Sequence, residues 1–517
     1  MAKVFKLGKV ISFSGFKNTD EFDRKVELVD VCIFTEGTYP FVKGGVSSVI
    51  HQIIENHPHL TFGIVHIAWN KKSPQINLFP KLEHVKWVKT ILLTDETRKL
   101  PKGDISKEKV TEFMNKVSEL GNLSPEQLVA FYNDFINPKT RKADFRKIVT
   151  GANFFNAMIE RFKQYDISLS ELFWLQKEYI LLAATLLDRT FPAAKVYHSH
   201  TNGYAGLAAA MAAIQHKRRF VLTEHSLYIR DVMGEIENIF SSKTNSISQI
   251  RKTIWEKWFS AIGKITYRFS HKSTYLYDKI ADDATTFGSA KDRSVIIPNG
   301  INYQKFETAR KKQEARHSSR FLPMTHWKIG FIGRVVPVKG VKDLIYSIDL
   351  LRKQFNQPFQ VHVIGPTEED PKYYKECVEL VARLNLRELI IFHGPQDVAK
   401  FLEDIDLVVM SSLSEALPVV VLESMAAGVP IISTDVGSVQ DIMCLPLQSS
   451  ENTDSVSEAG VVVPPKSPEE LCRGIIQVLN NKQEYERYGQ NGPKRILHSF
   501  KIEDIMQKYN SLYMENL

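Results

Sequence analysis

Two glutamates, Glu415 and Glu423, are the first residues whose spacing suggests chemistry. They sit in VVMSSLSEALPVVVLESMAAGVPIIST, residues 408–434, which reads as strand, loop, helix, turn, strand. An apolar run ends at Ser411-Ser412, Pro418 stands where a first helical turn begins, and Gly428-Val429-Pro430 stops the helix. Glu415 lies in the loop and Glu423 about a turn and a half into the helix, so the pair brackets the helix N-terminus. Unpaired backbone N–H groups there favour a phosphate. Carboxylates repel phosphate, so these two would instead accept hydrogen bonds from hydroxyls on either side of it, one ribose and one sugar. The pattern points to a nucleotide sugar; a helix-capping Glu415 with a solvated Glu423 fits the same residues.

Cations that could meet a diphosphate stand upstream, in WKIGFIGRVVPVKGVKDLIYSIDLLRK. Arg334 offers a planar fork for phosphate oxygens and Lys339 a mobile point charge, and together they could neutralise a leaving diphosphate without a metal. As isolated surface cations they would be unremarkable. Near the start of the chain, Gly44-Gly45 between a strand and a helix lets backbone approach a ligand, or simply makes a tight turn. A further strand ends at His198-Ser199-His200 and another at Glu224-His225. Such ends border the ligand crevice of a parallel sheet, where the His200 imidazole could hold a sugar hydroxyl or steady developing positive charge; a satisfied structural histidine is the alternative. Asp404-Ile405-Asp406 imitates a metal-binding D-x-D but enters a strand from its amino end, so no metal site is expected.

The elements that carry these residues fall into two α/β series. In the first, VELVDVCIFTEG, FGIVHIAWN, VKWVKTILL, KVYHSH and FVLTEH read as strands, with a helical insertion from Thr94 to about Arg189 and a helical stretch over 231–280. ADDATTFGSA and SVIIPNGINYQKF are expected to close it as two short strands. Trp255, Trp258, Phe259 and Tyr267 in IRKTIWEKWFSAIGKITYRF, interleaved with basic residues, suit either a membrane-surface face or a packed helix. The boundaries expected are an N-terminal domain over 1–306, a polar linker over 307–326, a C-terminal domain over 327–497 and a final helix over 498–517 crossing back to the first domain.

With 517 residues and 43% hydrophobic content the chain can bury more than one core. A net charge of +8, from 67 basic and 59 acidic residues, is too mild for a nucleic-acid binder and comes with no RNP-like pattern, zinc finger or basic tract. Four scattered cysteines, Cys32, Cys377, Cys444 and Cys472, make no C-x-x-C pair. Apolar runs are too short to span a membrane, and MAKVFKLGKVISFSGF lacks a signal-peptide core, so a cytoplasmic protein is expected.

In GRVVPVKG, SEALPVVVLESMAAGVPIIST, DVG and GVVVPP the chain resembles glycosyltransferase family 4, which has the GT-B architecture of two Rossmann-like domains facing across a cleft. TEGTYPFVKGGVSSVIHQII, TEHSLYIRD, VIGPTEEDPKYYKECVELVARL and ISTDVGSVQDIM are similar to its PelF-like branch, named for a glycosyltransferase of Pel exopolysaccharide synthesis. Ala416 stands where the family commonly has glycine. The resemblance implies that Arg334 and Lys339 bind a diphosphate, Glu423 the ribose hydroxyls and Glu415 the transferred sugar. It places Leu417 and Pro418 with the donor, Gly44-Gly45 beneath the phosphates and His200 on the sugar. It further implies a retaining, metal-free transfer of a hexose or N-acetylhexosamine from a UDP-sugar, with no other cofactor, to an exopolysaccharide or glycolipid acceptor. The protein would then work in the cytoplasm or at the inner face of the membrane, beside a membrane polysaccharide synthase. A UDP-HexNAc epimerase of the same fold and a non-catalytic synthase subunit are the rival expectations.

Overall fold

The computed structural model describes residues 26–94, 105–165, 167–242, 245–317, 326–445 and 457–517. These form two compact units, one of the described residues up to Ile297 together with 508–517 and the other of those from Pro298 to Gln507. In the first, β1 (Val29–Glu36), α1 (Gly45–Glu55), β2 (Phe62–Ala68) and β3 (Val85–Leu92) open the sheet. The insertion follows as α2 (Lys107–Ser118), α3 (Pro125–Phe131), α4 (Phe145–Thr150), α5 (Ala152–Phe162) and α6 (Leu169–Leu187). Then come β4 (Ala194–Ser199), α7 (Tyr204–His216), β5 (Arg219–Glu224), α8 (Tyr228–Phe240), α9 (Ser246–Phe269), β6 (Lys272–Tyr275), α10 (Asp278–Thr285) and β7 (Ser294–Ile296).

All seven strands are parallel, in the order β3-β2-β1-β4-β5-β6-β7. Because helices cover a parallel sheet, its inner strands read as unbroken apolar runs, as CIF and FVL do, while edge strand β3 alternates buried and exposed residues. Chain order turns outward from β1 to β3 and then restarts at β4 on the other side, so the crevice between β1 and β4 is the switch point.

One reading of this half is corrected. ADDATTFGSA is not a strand: its first part lies in α10, and the strand is KSTY, inside the stretch read as helical. Hydroxyls hide KSTY as an apolar run, yet they are paired inside the sheet, with the Thr274 and Thr223 oxygens 2.6 Å apart. The aromatics of the basic segment are not a membrane face, since Trp255, Phe259 and Tyr267 of α9 are buried in the core. Among the described residues no helix is long and apolar enough to cross a membrane.

The second unit runs α11 (Glu307–His317), β8 (Trp327–Ile332), α12 (Val341–Gln354), β9 (Phe359–Ile364), α13 (Pro371–Arg383), β10 (Ile390–Gly394) and α14 (Val398–Leu402). It continues with β11 (Leu407–Met410), α15 (Val419–Ala426), β12 (Ile431–Thr434), α16 (Val439–Met443), β13 (Gly460–Val463), α17 (Pro468–Asn480) and α18 (Lys482–Ser499), and α19 (Ile502–Met514) begins here and ends among residues 508–517 of the first unit. Its parallel sheet has the order β10-β9-β8-β11-β12-β13, with the switch point between β8 and β11. The stretch expected to be a linker begins instead as α11, within this unit. Its polarity has a local use: Gln313 donates to the Leu402 and Ile405 carbonyls at 3.0 and 2.8 Å, and Arg316 donates to the Glu403 carbonyl and to Asp404. The unit boundary falls at Ile297-Pro298, beside the Asn299-Gly300 turn, and residues 318–325 lie outside the described ones.

Candidate functional site

In the second unit the loops that leave β8 and β11 are laced together at the switch point. After β8 comes Gly333-Arg334, then a single tight turn over Pro337–Lys339, then Gly340 at φ +64°. A Cβ on Gly340 would stand 1.9 Å from the Ser411 carbonyl oxygen, so both the backbone angle and the close approach demand glycine. Ser411 Oγ donates to the carbonyls of Lys339 and Gly340 at 3.1 and 3.0 Å, and Leu413 N–H donates to Val338 at 2.7 Å.

Lys339 Nζ then meets Glu415 Oε1 in an ion pair that is mostly buried, and Ser412 Oγ donates to the same oxygen at 2.8 Å. The loop after β12 closes the ring: Gly437, at φ +59°, passes so near that a Cβ would lie 2.4 Å from the Glu415 carbonyl oxygen, and Ser438 N–H donates to Ala416. Leu417 and Pro418 are buried, with Pro418 as the N-cap of α15. Its ring leaves that cap without a side-chain hydrogen bond to the helix.

Two sequence candidates are placed differently from one another. Arg334 leans toward the loop after β9, where its Nη1 donates to both carboxylate oxygens of Glu369 at 2.6 and 2.7 Å. Both side chains are about half exposed, 48% and 51%, so this link contributes no more than about 1 kcal/mol. Glu423 in α15 is half-buried, and its carboxyl has no hydrogen-bond partner among the described residues. Burial pushes its pKa up to about 7, with Lys305 pulling it down and Asp397 adding to the rise. Asp404 and Asp406 are spent on the fold: Asp404 pairs with Arg316, and Asp406 Oδ2 accepts from Lys328 N–H at 2.8 Å.

The first unit holds a cavity of about 150 Å³ at the carboxyl ends of β1, β4 and β5. Glu36, Val46, His200, Glu224, His225 and Tyr228 line it. His200 is the one member of this group singled out as catalytic from the sequence; Gly44 and Gly45 precede Val46, with open space where each would carry a Cβ. Glu36 accepts from Ala205 N–H at the start of α7 and from the Tyr228 hydroxyl. Glu224 accepts from the Tyr267 hydroxyl at 2.6 Å and from Tyr228 N–H at the start of α8. Burial raises both carboxyls, Glu224 to about 7, against those hydrogen bonds.

His200 is 3% exposed; its Nδ1 lies 3.0 Å from His225 Nε2, and its own Nε2 has no partner among the described residues. Burial, then the neighbouring rings of His198 and His225, push it well below the usual histidine range. Glu36, Tyr228 and His225 were missed as site residues. The available signal was their position, each at or just after the carboxyl end of β1 or β5.

Residues 29–292, just over half the chain, match a family described as "Domain of unknown function (DUF3492)". The chain belongs to that family. Residues 312–495 match "Glycosyl transferases group 1".

Relatives include the uncharacterized glycosyltransferase MJ1607 of Methanocaldococcus jannaschii, 25% identical over 232 residues, covering 44% of this chain and 55% of that one. Another is the capsular polysaccharide biosynthesis glycosyltransferase CapM of Staphylococcus aureus, 27% identical over 234 residues, covering 44% and 57%. The chain thus spans about half the length of the curated relatives it matches. Anabaena Alr3699/HepE, solved in complex with UDP, is similar over 94% of this chain and 100% of its own, with TM-score 0.57 and 13% identity. Sucrose-phosphate synthase from Thermosynechococcus elongatus gives 0.56 and 16% over 94% and 98%. With two parallel-sheet α/β units and these neighbours, the fold is GT-B.

Proposed function

We propose that the protein is a retaining, metal-independent glycosyltransferase of the PelF-like branch of glycosyltransferase family 4. It would move a hexose or N-acetylhexosamine from a UDP-sugar to an exopolysaccharide or glycolipid acceptor. The observation that carries this is the Lys339–Glu415 ion pair, set where two loops are laced at the switch point and next to the start of α15. A scaffold has no need of a cation and a carboxylate held there. A polysaccharide acceptor is favoured by the name of the similar S. aureus CapM, and UDP by the HepE complexes with UDP and with UDP-glucose.

In this reading Lys339 and Arg334 take the diphosphate. The exposed Arg334–Glu369 link gives way at little cost, about 1 kcal/mol or less. The unpaired carboxyl of Glu423 accepts from the ribose hydroxyls, which return to it the hydrogen bonds that burial removed. Leu417 and Pro418 shape the donor loop, and Gly44-Gly45 leave room for backbone to approach the phosphates. As the bond from the sugar C1 to the phosphate oxygen breaks, Glu415 and His200 hold the sugar hydroxyls. The acceptor oxygen forms the new bond on the same face, and its proton passes to the departing phosphate oxygen, so no protein nucleophile is needed. The setting is the cytoplasm or the inner membrane face, with a synthase complex as partner.

The test is incubation of the full chain with a panel of UDP-sugars, with and without saccharide acceptors. Free UDP with a glycosylated acceptor supports the reading, an isomerised sugar makes the protein an epimerase, and no turnover makes it a subunit without catalysis. Glu423→Ala is expected to weaken UDP binding and Glu415→Ala chiefly to slow transfer.

A further inference from the structure

Two consecutive serines follow β11, and between them they hold both halves of the ion pair in the second unit. Ser411 is wholly buried and its hydroxyl is spent on the backbone that carries Lys339, donating to the Lys339 and Gly340 carbonyls. Ser412 is 1% exposed and gives its hydroxyl proton to Oε1 of Glu415 at 2.8 Å. Its own carbonyl is pinned by the Thr434 hydroxyl at 2.6 Å. Lys339 Nζ meets the same Glu415 oxygen, Oε1.

The directions of these bonds follow from the groups themselves. An ammonium only donates and a carboxylate in an ion pair only accepts, so the Ser412 hydroxyl has to donate as well. The two oxygens of a carboxylate are alike until donors choose between them, and here both donors choose Oε1. Oε2 has no hydrogen-bond partner among the described residues, and it is not sealed from solvent; the Glu415 side chain is 16% exposed. Lys339 spends one of its three N–H groups on Glu415, which leaves two. The pair therefore offers one open acceptor beside two donors, which suits a hydroxyl standing next to an anion.

We propose that Ser412 is a positioning residue: together with Lys339 it fills Oε1 of Glu415 and so leaves Oε2 as the single oxygen through which Glu415 takes a ligand hydroxyl. Lys339 alone would not fix this. An ammonium on a flexible four-carbon stem can sit between both oxygens and serve either, whereas a hydroxyl on a short side chain, carried by backbone that Thr434 pins, reaches only one. A glutamine at position 415 follows the same logic. With two donors at Oε1 its amide oxygen must stay there, and its Nε2 takes the place of Oε2, a donor where an acceptor stood. That the hydroxyl belongs to a transferred sugar rests on the proposed transferase reading; the choice of oxygen rests on the contacts alone.

The test uses the full chain as wild type, Ser412→Ala, Glu415→Ala and the double variant, with Glu415→Gln alongside, in transfer from UDP-sugars and in urea unfolding. Ser412→Ala is expected to lower kcat about tenfold with KM for the UDP-sugar within about twofold, and to change kcat by less than about twofold once Glu415 is alanine. Glu415→Gln is expected to be as slow as Glu415→Ala, although it keeps an acceptor for both donors. A Ser412→Ala loss of the same size in both backgrounds makes the serine merely structural and overturns the proposal, as does a Glu415→Gln protein that transfers at the wild-type rate. If no form turns over a UDP-sugar, the transferase reading fails and unfolding decides. A Ser412→Ala loss of urea midpoint that is present in the wild type and absent or reversed in Glu415→Ala, where the hydroxyl is buried without its acceptor, upholds the role of Ser412; an equal loss in both overturns it.

Discussion

Replacing Glu423 by glutamine should make the second unit more stable, and by an amount that depends on pH. In the folded chain this carboxyl titrates near 7, against 4.5 when solvated, because α15 holds it half-buried without a hydrogen-bond partner among the described residues. Between those values the folded state keeps a proton that the unfolded state releases. The stabilisation is therefore complete below the unfolded value and is lost as pH rises through the folded one. At about 1.4 kcal/mol for each tenfold change in proton affinity, the rise from 4.5 to about 7 amounts to about 3 kcal/mol. Glutamine keeps the shape and has no charge to desolvate, so every other titrating group cancels in the comparison. Urea unfolding of both proteins should show a difference that grows in the variant's favour by about 2–3 kcal/mol from about pH 5 to about pH 8. A difference flat across that range, or one growing toward acid, would refute the claim that this carboxyl is desolvated and unpaired.

Two comparisons probe the loops and the histidine row. Gly340→Ala puts a side chain at φ +64° with its methyl 1.9 Å from the Ser411 oxygen, and is expected to cost about 2 kcal/mol or more in urea unfolding. Gly45→Ala, which opens onto free space, should leave unfolding within about 0.5 kcal/mol of wild type, so that any fall in turnover there reports on substrate. Tyr513→Phe removes the 2.8 Å partner of His198 Nδ1 in a buried site and should lower stability by about 1–2 kcal/mol, read from thermal unfolding of the full chain.

The strands and their loops were legible because parallel sheets require long apolar runs, and those runs stop where polar residues begin. KSTY escaped because its serine and threonine are satisfied inside the sheet, so the stretch lacked the apolar signature of a buried strand. The expected linker failed for a related reason: α11 is polar because Gln313 and Arg316 answer the carbonyls at the end of α14, and composition alone cannot tell that use from solvation. Pairings were less legible than positions. Arg334 and Lys339 read as one diphosphate clamp, yet they engage different carboxylates, Glu369 and Glu415, on loops far apart in the chain.

What the amino-acid order determined by itself is local: which stretches are strands, where glycine and proline end a helix, that Glu415, Arg334, Lys339 and His200 follow strand ends, and that Glu423 lies in a helix. Period and turn chemistry act over a few residues, so they can be read without a fold. What tertiary structure decided is which of those ends meet. Glu36 and Glu224 become neighbours of His200 only because β1, β4 and β5 lie side by side, and both carboxyls titrate high only because packing removes their water. Burial and pairing depend on residues tens to hundreds of positions away, and only the folded chain brings those together.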